Sequence, residues 1–404
     1  MISFEVRPHL RAINVVLTFA AVCVAIPGAA QPARGADADD ALAQIADAIL
    51  EAQARGGTYA KELIEPLRNL SFLYQESGNH ALELAALEQA RQVVRANYGL
   101  SSLEQAPLMR QQIRAEESRG NFAQAWELEQ ALLTLAEKNR DDARTAPIYN
   151  EIGDKRMDLM KSYLGGARPP QLFLGCFYKP PQRVGDGSGC ESGERSGAIA
   201  NIAWDAQRNY ANAIDVLRRQ QERSSDELNE LEDKLFRNSY LLRDYQTGRR
   251  SLVRLIYDDA ANAEPTLSRI DRLVQLADWD LLYDQRMLAF DLYEKAHAYL
   301  TRHDLAQASI DEFFAPATPI PLPTFQPNLL APERSDGATG YVDVVFDVSR
   351  YGRTSRIRVV DSNASNAAQS RVTRWLVVNR FRPRVADGQV VDASRIVARA
   401  YVQE

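Results

Sequence analysis

Few side chains in this sequence have the types and spacing that catalysis or metal binding requires. The four histidines are His9, His80, His297 and His303. No two of them have the spacing of zinc ligands, and the adjacent acids Asp141-Asp142 and Asp258-Asp259 have no histidine beside them to act as a general base. Motifs of serine hydrolases, zinc proteases and phosphate-binding loops are absent from the sequence. We therefore expect a protein without enzymatic activity, cofactor or metal site, and without a small-molecule substrate.

Two cysteines are placed where they could form a disulfide bond. Cys176 and Cys190 both lie in residues 165–197, a segment rich in Gly, Pro and Ser. A disulfide between them would close a loop and stabilise the fold by about 3 kcal/mol in the chain-entropy model; two free thiols are the alternative. The bridged loop is either a lip of a binding groove or a stapled surface insertion, and both interpretations remain open.

The N-terminal segment has the pattern of a secretory signal. Arg7 and Arg11 precede an apolar run over positions 12–26, which ends in the small residues Pro27-Gly28-Ala29-Ala30. This pattern predicts a signal peptide over residues 1–30, cleaved near Ala30, and a periplasmic location. The run is shorter than the roughly 20 residues of a membrane span, so an uncleaved inner-membrane anchor is the alternative. A lipoprotein signal at Cys23 fits the preceding residues poorly.

Composition places the chain among globular proteins of two or three domains. The 404 residues are 45% hydrophobic and 25% charged, with a net charge of −6. An acidic balance does not favour nucleic acid as a partner. After Pro332 the chain has twelve arginines, no lysine and eight acids. That basic end could attract anionic partners, or it could be a solvated arginine face.

Residues 41–164 show a helical, repetitive pattern. Leucines and alanines at helical spacing flank both Gly78 and Gly120. Each unit is predicted to be a helix, a Gly-Asn turn and a second helix. Stacking of such pairs buries apolar faces that one pair cannot bury alone.

These residues resemble tetratricopeptide repeats of the longer-spaced kind. Gly120-Asn121-Phe122-Ala123-Gln124-Ala125 is the best match, with Ala125 as the small residue that lets two helices approach. The first repeat departs from the family pattern by placing Glu83 at that position. The resemblance implies a solenoid with a groove for a peptide or protein.

The chain between this array and the C-terminus divides into two predicted segments. Residues 198–314 are expected to form degenerate helical repeats without a clear register, with Gly248 as a possible repeat turn. Residues 315–332 contain six prolines, a composition typical of an extended, semi-stiff linker.

Residues 333–404 are predicted to form a small α+β domain. Gly340–Val348 and residues 354–360 alternate apolar and polar side chains around a turn at Gly352, which indicates a β-hairpin. A helical period follows from 366 to 379, and residues 395–401 alternate again as a third strand. The predicted fold class is therefore mainly α, a helical-repeat array plus a β-β-α-β domain.

The sequence of this last domain resembles that of the C-terminal domain of TonB-family proteins. The Gly-Tyr-Val opening, the segment Arg380-Phe381-Arg382-Pro383 and the Asp387-Gly388 turn carry the resemblance. It implies a periplasmic partner bound as an added strand, as TonB binds an outer-membrane transporter. The edge would be the third strand, with one face formed by Arg395, Val397, Arg399 and Tyr401. The alternatives are that these arginines only solubilise an edge, or that the domain serves folding or dimerisation alone.

Two functions from different classes are compatible with the sequence. The first is a periplasmic adaptor that binds a protein or peptide of the cell envelope. The second is a TonB-type energy transducer, which requires an uncleaved anchor and a long Pro-rich spacer; this chain departs from that pattern on both counts.

Overall fold

The computed structural model describes residues 36–164, 195–220, 225–258, 267–302, 307–316, 318–326, 328–330 and 338–402. The predicted signal peptide 1–30 and the predicted Cys176–Cys190 disulfide lie outside these residues. The chain divides into two compact units, Met1–Val93 and Val94–Glu404. None of the described helices is both long and apolar enough to cross a membrane.

Helices dominate both units. Their bounds are α1 Ala36–Gly56, α2 Ile64–Glu76, α3 His80–Tyr98, α4 Ala106–Ser118, α5 Phe122–Lys138, α6 Ala146–Leu164, α7 Arg195–Arg219, α8 Ser225–Leu241, α9 Tyr245–Asp258, α10 Leu267–Leu282, α11 Arg286–Arg302 and α12 Gln307–Phe314. Consecutive helices pair through leucine, isoleucine and alanine faces that are buried in the core.

The tight turns of these pairs share one geometry. A residue with positive φ ends the first helix, at Gly78, Gly120, Arg243 and Asp284. The next residue donates its backbone N–H to the carbonyl five positions earlier, as Asn121 does to Glu116 at 2.8 Å. This is the six-to-one hydrogen bond of a Schellman helix end. Because the turns at Arg243 and Asp284 share it, the repeat continues into the region that the sequence left without a register.

Five positions after each of these turns, the chain places the residue that faces the neighbouring helix. In the second unit these residues are Ala125, Gly248 and Ala289, all buried. Gly248 therefore is not the repeat turn that the sequence predicted; it lies inside α9, where a Cβ would come within 2.3 Å of the Trp279 ring. The turn itself uses Arg243, and the absence of Gly there concealed it.

Ala or Gly occupies this position in the second unit, and the first unit contains an exception. Glu83 holds the equivalent position in α3 and is buried, and one of its carboxylate oxygens lies 2.8 Å from Nδ1 of His80. A polar partner one turn away thus allows a carboxyl group at a position where the other turns have Ala or Gly.

The C-terminal residues form the predicted β-β-α-β domain. Its bounds are β1 Pro321–Leu322, β2 Gly340–Val348, β3 Thr354–Ser362, α13 Asn366–Val378, β4 Arg380–Phe381, β5 Arg384–Ala386, β6 Gln389–Val391 and β7 Ala393–Val402. The main sheet is antiparallel in the order β3-β2-β7. Val342, Val344 and Phe346 of β2 pack with Val372 and Leu376 of α13 in one core. The predicted fold class is confirmed.

The described residues of the segment 315–332 pack against their surroundings more closely than an extended linker would. Pro321 and Leu322 pair with Phe381 and Arg380, and Leu322 is buried among the side chains of α10 to α12. Phe325 packs edge-to-face on Phe236, with ring centroids 5.6 Å apart. The described part of this segment therefore lies against both the helical array and the end domain.

Candidate partner-binding surfaces

The four residues predicted to bind a partner lie on the exposed face of an edge strand. β7 pairs with β2 alone in the main sheet. Val397 is 67% exposed, and the side chains of Arg395 and Arg399 are exposed while Tyr401 is half-buried. The alternating positions, including Ala400 and Val402, face the core. The structure thus brings the predicted residues together on one face, and their role stays a prediction.

Arg399 is already engaged across the sheet. Its Nε and one terminal nitrogen donate to the two carboxylate oxygens of Asp343, each at 2.7 Å. Its guanidinium lies 4.1 Å from the centroid of the Tyr341 ring. These hydrogen bonds hold the pKa of the Asp343 carboxyl below its usual value. A bidentate pair of this kind fixes the orientation of the arginine, so Arg399 is not a free cation for a partner.

Arg395 lies at a β-bulge. Its φ is +55°, the register of β2 and β7 shifts between Phe346 and Val348, and its backbone N–H donates to Oδ1 of Asp347 at 2.7 Å. On the other side of β2, Arg356 also has positive φ and forms an ion pair with Asp347. Bulges interrupt the ladder and twist an edge away from other chains. A regular edge for strand addition is therefore limited to residues 396–402.

A second surface, which the sequence analysis did not identify, is a groove on the second helices of three pairs. Two cavities of about 360 and 370 Å³ lie along α5, α7 and α9. The first is lined by Trp204, Gln207, Arg208, Ala211, Ile214, Asp215, Arg218, Leu235, Thr247, Arg250, Ser251 and Arg254. Arg208 and Asp215 line both cavities, so the two are neighbours along α7. We call this surface the α5–α7–α9 groove.

Helix geometry explains why α7 presents these side chains together. Trp204, Arg208, Ala211, Asp215 and Arg218 are spaced by three or four positions, so they form one stripe of the helix. An apolar stripe lies on the other side of the helix and is buried; it consists of Ile202, Ala206, Tyr210, Ala213 and Leu217. Helical spacing of the polar stripe was the signal in the sequence that could have indicated the groove.

The arginines of the groove differ in their ion-pair and hydrogen-bond partners. Arg218 and Arg254 share one carboxylate oxygen of the buried Glu232, at 3.1 and 3.2 Å, and Arg208 pairs with Asp205. Arg250 donates only to the backbone carbonyl of Gln246. Within the described residues, Arg250 has no carboxylate at ion-pair distance.

Two polar side chains of the groove are buried without complete hydrogen bonding. Gln207 is 7% exposed and donates its Nε2 to Asp244 at 2.8 Å, while its Oε1 has no partner among the described residues. Ser251 is fully buried, and its Oγ likewise has no partner there. Unsatisfied buried polar atoms are costly and uncommon in native proteins. Both residues line the first cavity, so these two atoms are candidates for hydrogen bonds to a ligand.

Asp244 fixes the start of α9 and the Gln207 side chain at one end of the groove. Its Oδ1 accepts the backbone N–H of Thr247 at 3.1 Å, which caps α9, and its Oδ2 accepts the amide of Gln207. Burial by itself raises the pKa of this carboxyl, but the hydrogen bonds from Thr247 and Gln207, together with the positive charge of Arg250, outweigh burial and lower it. The ionised Asp244 carboxylate binds Nε2 of Gln207, and Oε1 of Gln207 keeps no hydrogen-bond partner among the described residues.

The segment Arg380-Phe381-Arg382-Pro383 attaches the end domain to the helices. Arg382 and Asp278 are both about 5% exposed; the guanidinium donates to both carboxylate oxygens, at 3.0 and 2.6 Å. The Tyr293 hydroxyl donates to the same carboxylate at 2.6 Å, and burial raises the pKa of that hydroxyl well above its ordinary value. Arg380 donates to the Leu281 carbonyl at the end of α10. This segment is therefore a docking element within the chain.

Among the described residues, no three His, Cys, Asp or Glu side chains are grouped as metal ligands would be. His297 lies against the Phe314 ring, with centroids 5.5 Å apart, and His80 is paired with Glu83. Neither lies in the groove.

Comparisons with known proteins return helical-repeat structures at low identity. A putative kinesin light chain from Podosopora anserina with nearly identical TPR-like repeats is 13% identical over 60% of this chain and 97% of its own, with a TM-score of 0.32. BtubC (BKLC) from P. vanneervenii is 16% identical over 57% of this chain and 77% of its own, with a TM-score of 0.35. The fold assignment rests on the helix pairs themselves. No protein-family model and no curated protein matches the chain.

Proposed function

We propose that this protein is a non-enzymatic adaptor of the bacterial periplasm, which holds a segment of a partner protein in the α5–α7–α9 groove. The observation that carries the proposal is the pair of neighbouring cavities along α7, lined by polar side chains and by Trp204, which is 51% exposed. Helical arrays commonly use such extended surfaces to bind partners. An exposed tryptophan beside arginines has the composition of an interaction surface.

The end domain is the second part of the proposal. Its edge, residues 396–402, has Val397 exposed and a row of backbone groups that an extended peptide could pair with. The resemblance of this domain to TonB-family domains supports an envelope partner, such as an outer-membrane transporter. Energy transduction of the TonB type is the alternative function, and it requires the N-terminal segment to remain uncleaved.

Photo-crosslinking from three positions tests which surface meets a partner. A benzoylphenylalanine residue is placed at Ala211 in the groove, at Val397 on the edge, and at Arg114, an exposed position of α4 that lines neither cavity. We expect a discrete adduct in the periplasm from Ala211. Adducts from Ala211 that do not exceed those from Arg114 would overturn the groove proposal, and the same result at Val397 would overturn the edge proposal.

The predicted location is tested by fractionation and by sequencing the mature N-terminus. A soluble periplasmic product that begins near Gln31 supports the adaptor. An uncleaved product in the inner membrane would contradict the predicted signal peptide and favour the transducer.

A further inference from the structure

The part of the groove between α7 and α9 has the chemistry of an anion-binding site. Arg208, Arg218, Arg250 and Arg254 line it, against the single acid Asp215. Arginine presents a planar fork of donors that matches a carboxylate or phosphate. Arg250 has no carboxylate at ion-pair distance among the described residues, and Arg254 contacts a single oxygen of Glu232. Donors of Arg250 and Arg254 therefore remain available for a ligand.

The two unsatisfied side chains narrow the class of ligand. Oε1 of Gln207 is an acceptor, held in place because its amide nitrogen is bound to Asp244. An acceptor needs an N–H or O–H from the ligand, and the backbone of an extended polypeptide supplies an N–H beside its side-chain carboxylates.

The shape of the surface also favours a chain over a small anion. A second cavity, lined by Asn209, Asn212 and Gln130 among others, is its neighbour along α7 and shares Arg208 and Asp215 with it. A bound segment could therefore continue along α7 toward α5. Trp204, at one end of the stripe, offers an indole face on which a side chain of the segment can pack.

We infer that the cavity between α7 and α9 recognises side-chain carboxylates within an acidic, extended segment of a partner polypeptide. Arg250 and Arg254 bind the carboxylates, Gln207 accepts a backbone N–H, and Ser251 hydrogen-bonds the segment. This inference rests on the proposed function of the groove, and it adds the charge of the partner and the residues that bind it.

The probes are two fluorescein-labelled decapeptides, one with alternating Glu and one with Gln at the same positions, titrated into the full chain and followed by anisotropy. We expect the Glu peptide to bind and its affinity to fall as salt increases. Arg250→Glu should weaken binding at least about tenfold, because a like charge then faces each carboxylate. The matched control Arg114→Glu makes the same charge change on α4 and should leave affinity unchanged.

Ser251→Ala separates binding from stability. Removing a buried hydroxyl that lacks a partner should leave the thermal midpoint of the free protein unchanged or raise it, while affinity for the Glu peptide falls several-fold. A purely structural serine would not give a lower affinity at an undiminished midpoint.

Three results would overturn the inference: equal binding of the Glu and Gln peptides, no binding of the Glu peptide, or equal effects of Arg250→Glu and Arg114→Glu. None of these decides the proposed function, which stands or falls on the crosslinks from Ala211. A groove that crosslinks a partner but does not distinguish Glu from Gln keeps the adaptor and rejects the acidic segment.

Discussion

The α5–α7–α9 groove and the outer face of β7 are both rich in arginine, but the fold gives these arginines different surroundings. On β7, Arg399 binds both oxygens of Asp343, and Arg395 lies on the exposed face at a bulge where its backbone N–H donates to Asp347. In the groove, Arg250 lines a cavity and has no carboxylate at ion-pair distance among the described residues. The comparison teaches that the number of arginines on a surface does not indicate binding. Whether an arginine can bind a partner depends on the carboxylates that the fold places beside it.

The buried pair Arg382–Asp278 and the exposed pair Arg399–Asp343 sharpen this comparison, because both are bidentate and differ mainly in burial. Arg382→Met should lower the free energy of unfolding by about 3 to 5 kcal/mol, since the Asp278 carboxylate is left buried without its cation. Arg399→Met should change it very little, because water solvates Asp343. Urea unfolding of the two variants measures the difference, and equal losses would contradict the role of burial.

Substitution of two glycines of the end domain tests how tightly the turn at Gly352 packs against β4. Gly352 has φ +73°, and a Cβ there would lie 2.4 Å from the Phe381 carbonyl oxygen, whereas Gly388 has φ +75° and open space. Gly352→Ala should cost about 3 kcal/mol, because backbone must move as well as adopt a strained φ. Gly388→Ala should cost about 1 kcal/mol from φ alone.

Thermal unfolding of these two alanine variants is the measurement. Similar midpoints would mean that the hairpin turn at Gly352 can shift away from β4 at no cost, and the docking of this region would then be looser than the distances indicate.

Asp347 tests the bulges that limit the β7 edge. Asp347→Ala removes the acceptor for the Arg395 N–H and the partner of Arg356, which should cost about 2 kcal/mol, as for a hydrogen bond to a charged group. Amide exchange of residues 393–397 should increase while that of β3 beyond the bulge stays protected. Unchanged exchange would show that the sheet keeps its bulges without the carboxylate.

The smallest expected effect is on pH dependence. The pKa of Asp343 is lowered in the folded state by Arg399, so the stabilisation is fully present above the unfolded pKa of about 3.9 and is lost as pH falls through the lower folded value. Between pH 5 and pH 3, the urea midpoint of Asp343→Asn should therefore fall less than that of the wild type. Parallel curves would indicate that this exposed pair does not contribute.

Sequence patterns predicted the elements well where the signal was local. The strand Gly340–Val348 and the Asp387-Gly388 turn follow from alternation and from a residue pair that favours positive φ. The turns at Gly78 and Gly120 follow from glycine in the same way. The turns at Arg243 and Asp284 were missed because each places a non-glycine residue at positive φ, and Gly248 was misplaced because it serves close helix packing instead.

By itself, the sequence determined which segments are helix or strand, where the glycine turns fall, and that the end of the chain is basic. These depend on neighbours a few positions apart. Only the tertiary structure decided which arginines are neutralised, since Asp278 and Arg382 are far apart in the chain, as are Asp343 and Arg399. It also joined the polar stripes of α7 and α9 into one groove. Coulombic pairing and burial depend on distance in space, and no local pattern encodes that distance.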